Sequence, residues 1–113
     1  MGTTYFRIYA DDEGESHFED VELAFQQDDF VPPAPPVLMS SFEPATQYGF
    51  ERVHPRWHGD WHPAPKRVLA IYLAGEGEIE ASDGEIRPLT LGTILLAEDT
   101  TGQGPHNPSH RAR

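Results

Sequence analysis

The sequence predicts an all-β domain, and three observations carry that expectation. Ten glycines and eleven prolines among 113 residues suit short strands joined by tight turns. Apolar residues recur with a period of two or in short unbroken runs, as strands require. No stretch shows the 3.6-residue repeat of an amphipathic helix. The apolar share of 37% is modest, yet a small barrel whose strands are apolar mainly on one face can build a core from it. A chain of this length fits one domain.

The elements follow in order. Thr4 to Ala10 (TYFRIYA) is rich in aromatic and β-branched residues and reads as a strand, and Asp11 to Ser16 (DDEGES) as a turn. Glu19 to Phe25 alternates, with Val21, Leu23 and Phe25 on one face and Glu22 on the other. Four prolines between Phe30 and Pro36 remove backbone donors, so that stretch is an ordered polyproline connector. Val37 to Phe42 and Gln47 to His54 are short strand candidates, and Pro55 to Pro65 is a structured loop dense in rings. Arg67 to Ala74 (RVLAIYLA) is apolar on both faces and is expected as a central strand. Gly77 to Ala81 and Glu85 to Leu89 pair across Ser82-Asp83-Gly84, with Pro88 marking an edge or a strand end. Leu91-Gly92 turns into the buried strand Thr93 to Ala97, and the residues after Thr101 read as loop or tail.

Charge narrows the function. Eight basic against 19 acidic residues give a net charge of −11. Such a surface repels phosphate backbones and anionic lipid, so neither nucleic acid nor membrane is an expected partner. Nine of the acids fall in the first 30 residues and read as a solvated face. The absence of cysteine excludes disulfides, thiolate metal sites and cysteine nucleophiles. No apolar run nears the ~20 residues of a membrane span, and the start lacks an export signal, so a cytoplasmic location is expected.

His54, His58 and His62 recur every fourth residue. Pro55, Gly59 and Pro63 rule out the helix on which that spacing would make a metal site, although extended backbone still places the three on one side. A loop histidine is ordinarily exposed, or packed beside rings such as Trp57 and Trp61. Glu98-Asp99-Thr100-Thr101 sets two acids beside two hydroxyls at a strand end, as a general base or as a capped turn.

From Asp60 onward the chain (DWHPAPKRVLAIYLAGEGEIEASDGEIRPLTLGTILLAEDTTGQG) resembles the small single-domain cupins, proteins of the jelly-roll β-barrel type. More narrowly it is similar to a bacterial group of uncharacterised cupins with WH-x-AP-[KR]-R, SDGE and EDTTG-x-G segments, and ESHFEDVEL at Glu15 to Leu23 resembles that group too. The resemblance implies a single jelly-roll domain over residues 1–113. Its N-terminal strands would lie in 1–30, the connector at 31–36, the barrel core in 37–101 and a tail at 102–113. Aligned on Gly75, the cupin metal pattern matches His62 but finds Ala64 and Val68 where a second histidine and a glutamate belong. His106 is nearest to the later histidine of that pattern, which the narrower group would place directly after Gly-x-Gly, where this chain has Pro105.

The resemblance thus implies a small-molecule enzyme with a barrel-interior pocket centred on His62, its reaction of the dioxygenase, isomerase, lyase or cyclase type. The alternative is a non-catalytic cupin that binds a small metabolite without a complete metal site. The implied catalytic residues are His62, Tyr72 and Glu98, and the substrate-binding residues Lys66, Arg67 and Trp61. A divalent ion (Fe, Mn, Zn or Ni) would be held by His62, His106 and His58, with His54 in reserve and Glu98 or Asp99 as a carboxylate, or no metal is bound at all. The resemblance also implies a homodimer with Thr4 to Ala10 at the interface.

Overall fold

A computed structural model describes residues 4–60, 62–100 and, as backbone, 106–111. The described residues are all-β, with nine strands and no helix, hence no helix able to cross a membrane. β1 (Thr4–Ala10) and β2 (Ser16–Glu22) form an antiparallel hairpin in which Ile8 faces Phe18. β1 also pairs in parallel with β8 (Ile94–Ala97), and β8 pairs antiparallel with β5 (Val68–Ile71). The resulting sheet has the order β2-β1-β8-β5. A second sheet has the order β7-β6-β9, built from β6 (Glu76–Glu80), β7 (Ile86–Leu89) and β9 (His106–Arg111). β3 (Gln26–Asp28) and β4 (Val37–Met39) make a separate two-stranded ribbon.

Alternation decides what is buried. Phe6, Ile8, Phe18 and Leu95 from the first sheet meet Ile79, Ala81 and Leu89 of the second, with Phe6 and Phe18 edge to face at 5.5 Å. The Arg87 guanidinium lies over both rings while pairing with Asp20 and Glu85. The sheets therefore form a sandwich. Their edges do not join into a closed barrel among the described residues.

The junction between the sheets is polar and dense. The backbone N–H of Ser16 donates to Ser82 Oγ, and that of Ser82 to Ser16 Oγ, both at 2.7 Å. The imidazole of His17 lies between Asp11 (2.7 Å from Nε2) and Asp83 (2.9 Å from Nδ1). Both ring nitrogens can donate only as the imidazolium, and Asp11 and then Asp83 raise the His17 pKa. The turn at Gly84 has the positive φ (98°) expected of Ser82-Asp83-Gly84, as does Gly92 (88°) after Leu91.

Several expectations are corrected. The strand RVLAIYLA is an edge strand rather than a central one, and Leu69 and Ile71 are more than half exposed. Its apolar residues are not matched by cover: Leu69, Ile71 and Leu73 stay exposed on this edge strand. Gln47 to His54 forms no strand. β2 starts earlier than expected and turns Phe18 to the core, so Val21, opposite Tyr5, lies on the outer face. Residues 106–111, expected as tail, pair with β6: Glu80 faces His106 and Glu78 faces Ser109. Asn107 and Pro108 together oppose Ile79 in this bulge, where a missing proline N–H costs no ladder bond.

Candidate functional site

Two neighbouring acids at the end of β8 face opposite ways. Leu95 and Ala97 pack on the core side, and Asp99 continues that parity, whereas Leu96 and Glu98 belong to the outer face. On that face a line of ion pairs crosses all four strands. Arg7 reaches Glu19 and Glu98, each at 3.0 Å, and Glu98 reaches Arg67 at 2.9 Å. Burial alone would raise the Glu98 pKa, but Arg67 and Arg7 outweigh it and hold the carboxyl below its ordinary value. Each Glu98 oxygen is engaged by a guanidinium, so the group expected as catalytic serves as the sheet's counter-ion.

Asp99 has the opposite environment. It is 0% exposed, and among the described residues neither carboxyl oxygen has a hydrogen-bond partner. Burial pushes its pKa from 3.8 up to about 6, against the smaller downward pulls of its own backbone N–H and of His62. Its backbone carbonyl accepts the Ala64 N–H at 2.9 Å, which anchors the histidine loop to the end of β8.

The loop is built by local chemistry. Trp57 N–H donates to the His54 carbonyl across a turn with Pro55 at its first corner and Arg56 at positive φ (71°). Gly59 follows because a Cβ there would sit 2.9 Å from the Trp57 ring and 3.5 Å from the His62 ring. His62 Nδ1–H donates to the Asp60 carbonyl at 2.6 Å, which leaves Nε2 as the acceptor of the neutral ring. His62 is exposed, as are His54 and His58.

The residues expected to work together are thus distributed. Tyr72 N–H donates to the Thr93 carbonyl, so Tyr72 lies six residues along β8 from Asp99, ~20 Å away at the strand rise. Its hydroxyl pKa is raised by burial and by Glu51. Lys66 is exposed, and Arg67 is committed to Glu98. Trp61 and the side chain of His106 lie outside the described residues, although the backbone of His106, opposite Glu80, is at the same end of the sandwich as Asp99. Among the described residues no three histidine, aspartate or glutamate side chains converge as metal ligands. Of the expected set His62, His58 and His106, the last side chain lies outside the described residues. A cleft of about 320 Å³ opens at the far end, lined by Thr4, Phe6, Arg87 and Thr93 among others.

The best-placed acid was legible in the sequence only as an alternative to Glu98. The usable signal was strand parity: Leu95, Ala97 and Asp99 share a face. No protein-family model, curated protein or solved structure matches the chain.

Proposed function

We propose that the chain binds a small polar molecule at the end of the sandwich where Asp99 is buried, in the manner of the cupins its sequence resembles, and that Asp99 holds or moves a proton there. The observation that carries this reading is the fully buried carboxyl with no partner for either oxygen among the described residues. A buried polar group left unpaired costs about 1–3 kcal/mol, which a ligand hydroxyl or amine would offset on binding. A carboxyl near pH 6 both gives and takes a proton at neutrality, so isomerisation or elimination is the reaction class it would serve. His62, whose Nδ1 is taken by the Asp60 carbonyl and whose Nε2 is available, lies near enough to act on Asp99 and is the second polar group of the site.

Binding without turnover is the second reading. It is favoured by Ala64 and Val68 standing where the cupin pattern has its second histidine and its glutamate. The test is a thermal-shift survey of sugars, hydroxy acids and amines on wild type and Asp99→Asn in parallel. A ligand that raises the melting temperature of wild type and leaves the variant unmoved supports the site. Equal protection of both removes Asp99 from it. Following the same ligand by NMR with catalytic amounts of protein separates turnover from binding.

A further inference from the structure

Two turns, one from each sheet, meet at a single imidazole. Asp11, in the β1–β2 turn, gives Oδ1 to the N–H groups of Glu13 and Glu15 at 2.9 and 3.0 Å, and its Oδ2 faces His17 Nε2. Asp83, in the β6–β7 turn, divides its oxygens in the same way. Its Oδ1 accepts the Glu85 N–H at 2.9 Å, and its Oδ2 faces His17 Nδ1. A carboxylate only accepts, so both contacts are hydrogen bonds only while both ring nitrogens carry a proton. The neutral ring serves one aspartate and turns a lone pair toward the other.

These contacts close one end of the sandwich. Asp83 N–H donates to the Ser16 carbonyl at 3.3 Å and Ser82 Oγ–H to Glu15 at 2.8 Å, beside the reciprocal serine bonds. Ala10 pairs with Ser16 on one side of β1. On the other side, the register that sets Phe6 beside Leu95 and Ile8 beside Ala97 brings Ala10 level with Asp99. Ser16, Ala10 and Asp99 thus form one row across the first sheet, about 10 Å from end to end at the strand spacing. Ser16 and Asp99 are both fully buried, as is Ala81 of the second sheet. The buried acid lies behind the junction that His17 ties.

The groups facing the ring are Asp11, Asp83 and, from β1, Tyr9 at 5.6 Å between ring centres. The charges next to them are committed elsewhere: Arg7, over the Tyr9 ring, to Glu19 and Glu98, Glu15 to the Ser82 hydroxyl, and Glu85 to Arg87. The two aspartates therefore set the charge of the ring, and they raise its pKa above the ordinary 6.5. His17 is also about one-third exposed, so its proton exchanges with water.

We propose that His17 is a proton-operated latch: as the imidazolium it ties the β1–β2 turn to the β6–β7 turn, and on losing its proton it releases the two sheets at the end where Asp99 is buried. The latch stands on the geometry of the junction. That its release admits a ligand rests on the function proposed for Asp99.

The experiment needs no ligand. NMR titration of the ring nitrogens follows the His17 proton, and the midpoint is expected above pH 6.5. In the wild-type chain, amide exchange at Ser16 and Ser82, corrected for its intrinsic pH dependence, is expected to speed about tenfold as that proton leaves, the loss of one charge-assisted hydrogen bond. Glu98 N–H, bonded to the Ile8 carbonyl within the first sheet, is expected to keep its protection. Because the chain has no cysteine, Asp99→Cys places a single thiol behind the junction. Its labelling by a water-soluble disulfide reagent, relative to free cysteine at each pH, is expected to rise with the same midpoint. Asp83→Asn separates a latch from general loosening. The introduced amide donates to Nδ1 of the neutral ring, whose Nε2–H still serves Asp11, so exchange and labelling should stay level across the titration. A His17 midpoint at or below 6.5 overturns the latch, as do exchange and labelling that do not follow that midpoint. Wild-type pH dependence in Asp83→Asn overturns it too. Exchange and labelling that follow His17, with no ligand dependent on Asp99 in the thermal-shift survey, support the latch and remove the proposed function alone.

Discussion

Replacing Asp99 by Asn removes a charge that the fold holds at a cost, and the size of that cost follows from the structure. The carboxyl is fully buried and titrates at about 6 in the folded chain, against 3.8 ordinarily. A raised carboxyl pKa means that the folded state binds the proton more tightly than the unfolded state. The contribution of Asp99 to stability is therefore highest at low pH, falls as pH rises from 3.8 through about 6, and is level above that. The difference of about two pKa units amounts to about 3 kcal/mol at neutrality. Asparagine has nearly the same shape and cannot ionise, so its stability lacks this fall. Relative to wild type, Asp99→Asn should gain about 2 kcal/mol between about pH 4.5 and pH 8, on the order of 10 °C in melting temperature. Urea unfolding followed by tryptophan fluorescence, at a series of pH values, measures the gap. Other acids titrate alike in both proteins and cancel. Parallel stability curves would refute the reasoning, because they would mean that the carboxyl already has a partner.

Glu98→Gln should destabilise by roughly 1 kcal/mol, since partly exposed ion pairs are individually weak, and it should leave ligand protection at the Asp99 site intact; urea titration and thermal shift check both. Ile8→Ala empties the centre of the core, where Ile8 is 0% exposed, and should cost about 2–5 kcal/mol by the same titration. Gly59→Ala puts a Cβ 2.9 Å from the outer end of the partly exposed Trp57 ring, which must shift, so tryptophan emission should change while stability changes by less than ~1 kcal/mol. His17, with a pKa raised by Asp11 and Asp83, contributes its full stabilisation below pH 6.5 and loses it as pH rises through the raised value. Melting curves above pH 6.5 should slope downward in wild type and flatten in His17→Gln, and equal slopes would remove His17 as the cause.

The elements legible in the sequence are those specified by local chemistry. TYFRIYA became β1 with the bounds expected, because a dense aromatic and β-branched run has few alternatives to a buried strand. Ser82-Asp83-Gly84 and Gly92 set their turns through glycine's access to positive φ. What sequence alone left open was which strand lies beside which. RVLAIYLA has the same apolar content whether it is central or at an edge, and with Leu69, Ile71 and Leu73 exposed its composition reports neither covered faces nor occupied hydrogen-bonding edges. β3, with the sequence QQD, has no apolar signal at all and exists through its pairing with β4. β9 looked too polar and too rich in proline for a strand, and it is recruited by β6 through a bulge that accommodates Pro108.

The candidate site shows the same limit at the scale of one residue. Glu98 and Asp99 are adjacent and chemically alike, and composition gives no reason to assign them different roles. A strand turns one of them to each face. On the outer face Glu98 meets Arg7 and Arg67, whose presence depends on β1 and β5 flanking β8, and with Glu19 on Arg7 the four charges neutralise one another. On the inner face Asp99 continues the line of Leu95 and Ala97, where no described group bonds to it and burial makes its charge costly. Pairing, not identity, therefore separates a structural acid from one held ready to exchange a proton. The assignment has an internal check in that the two acids should respond oppositely to neutralisation: removing the charge of Glu98 weakens the fold, and removing that of Asp99 strengthens it while taking away the group that a ligand would meet.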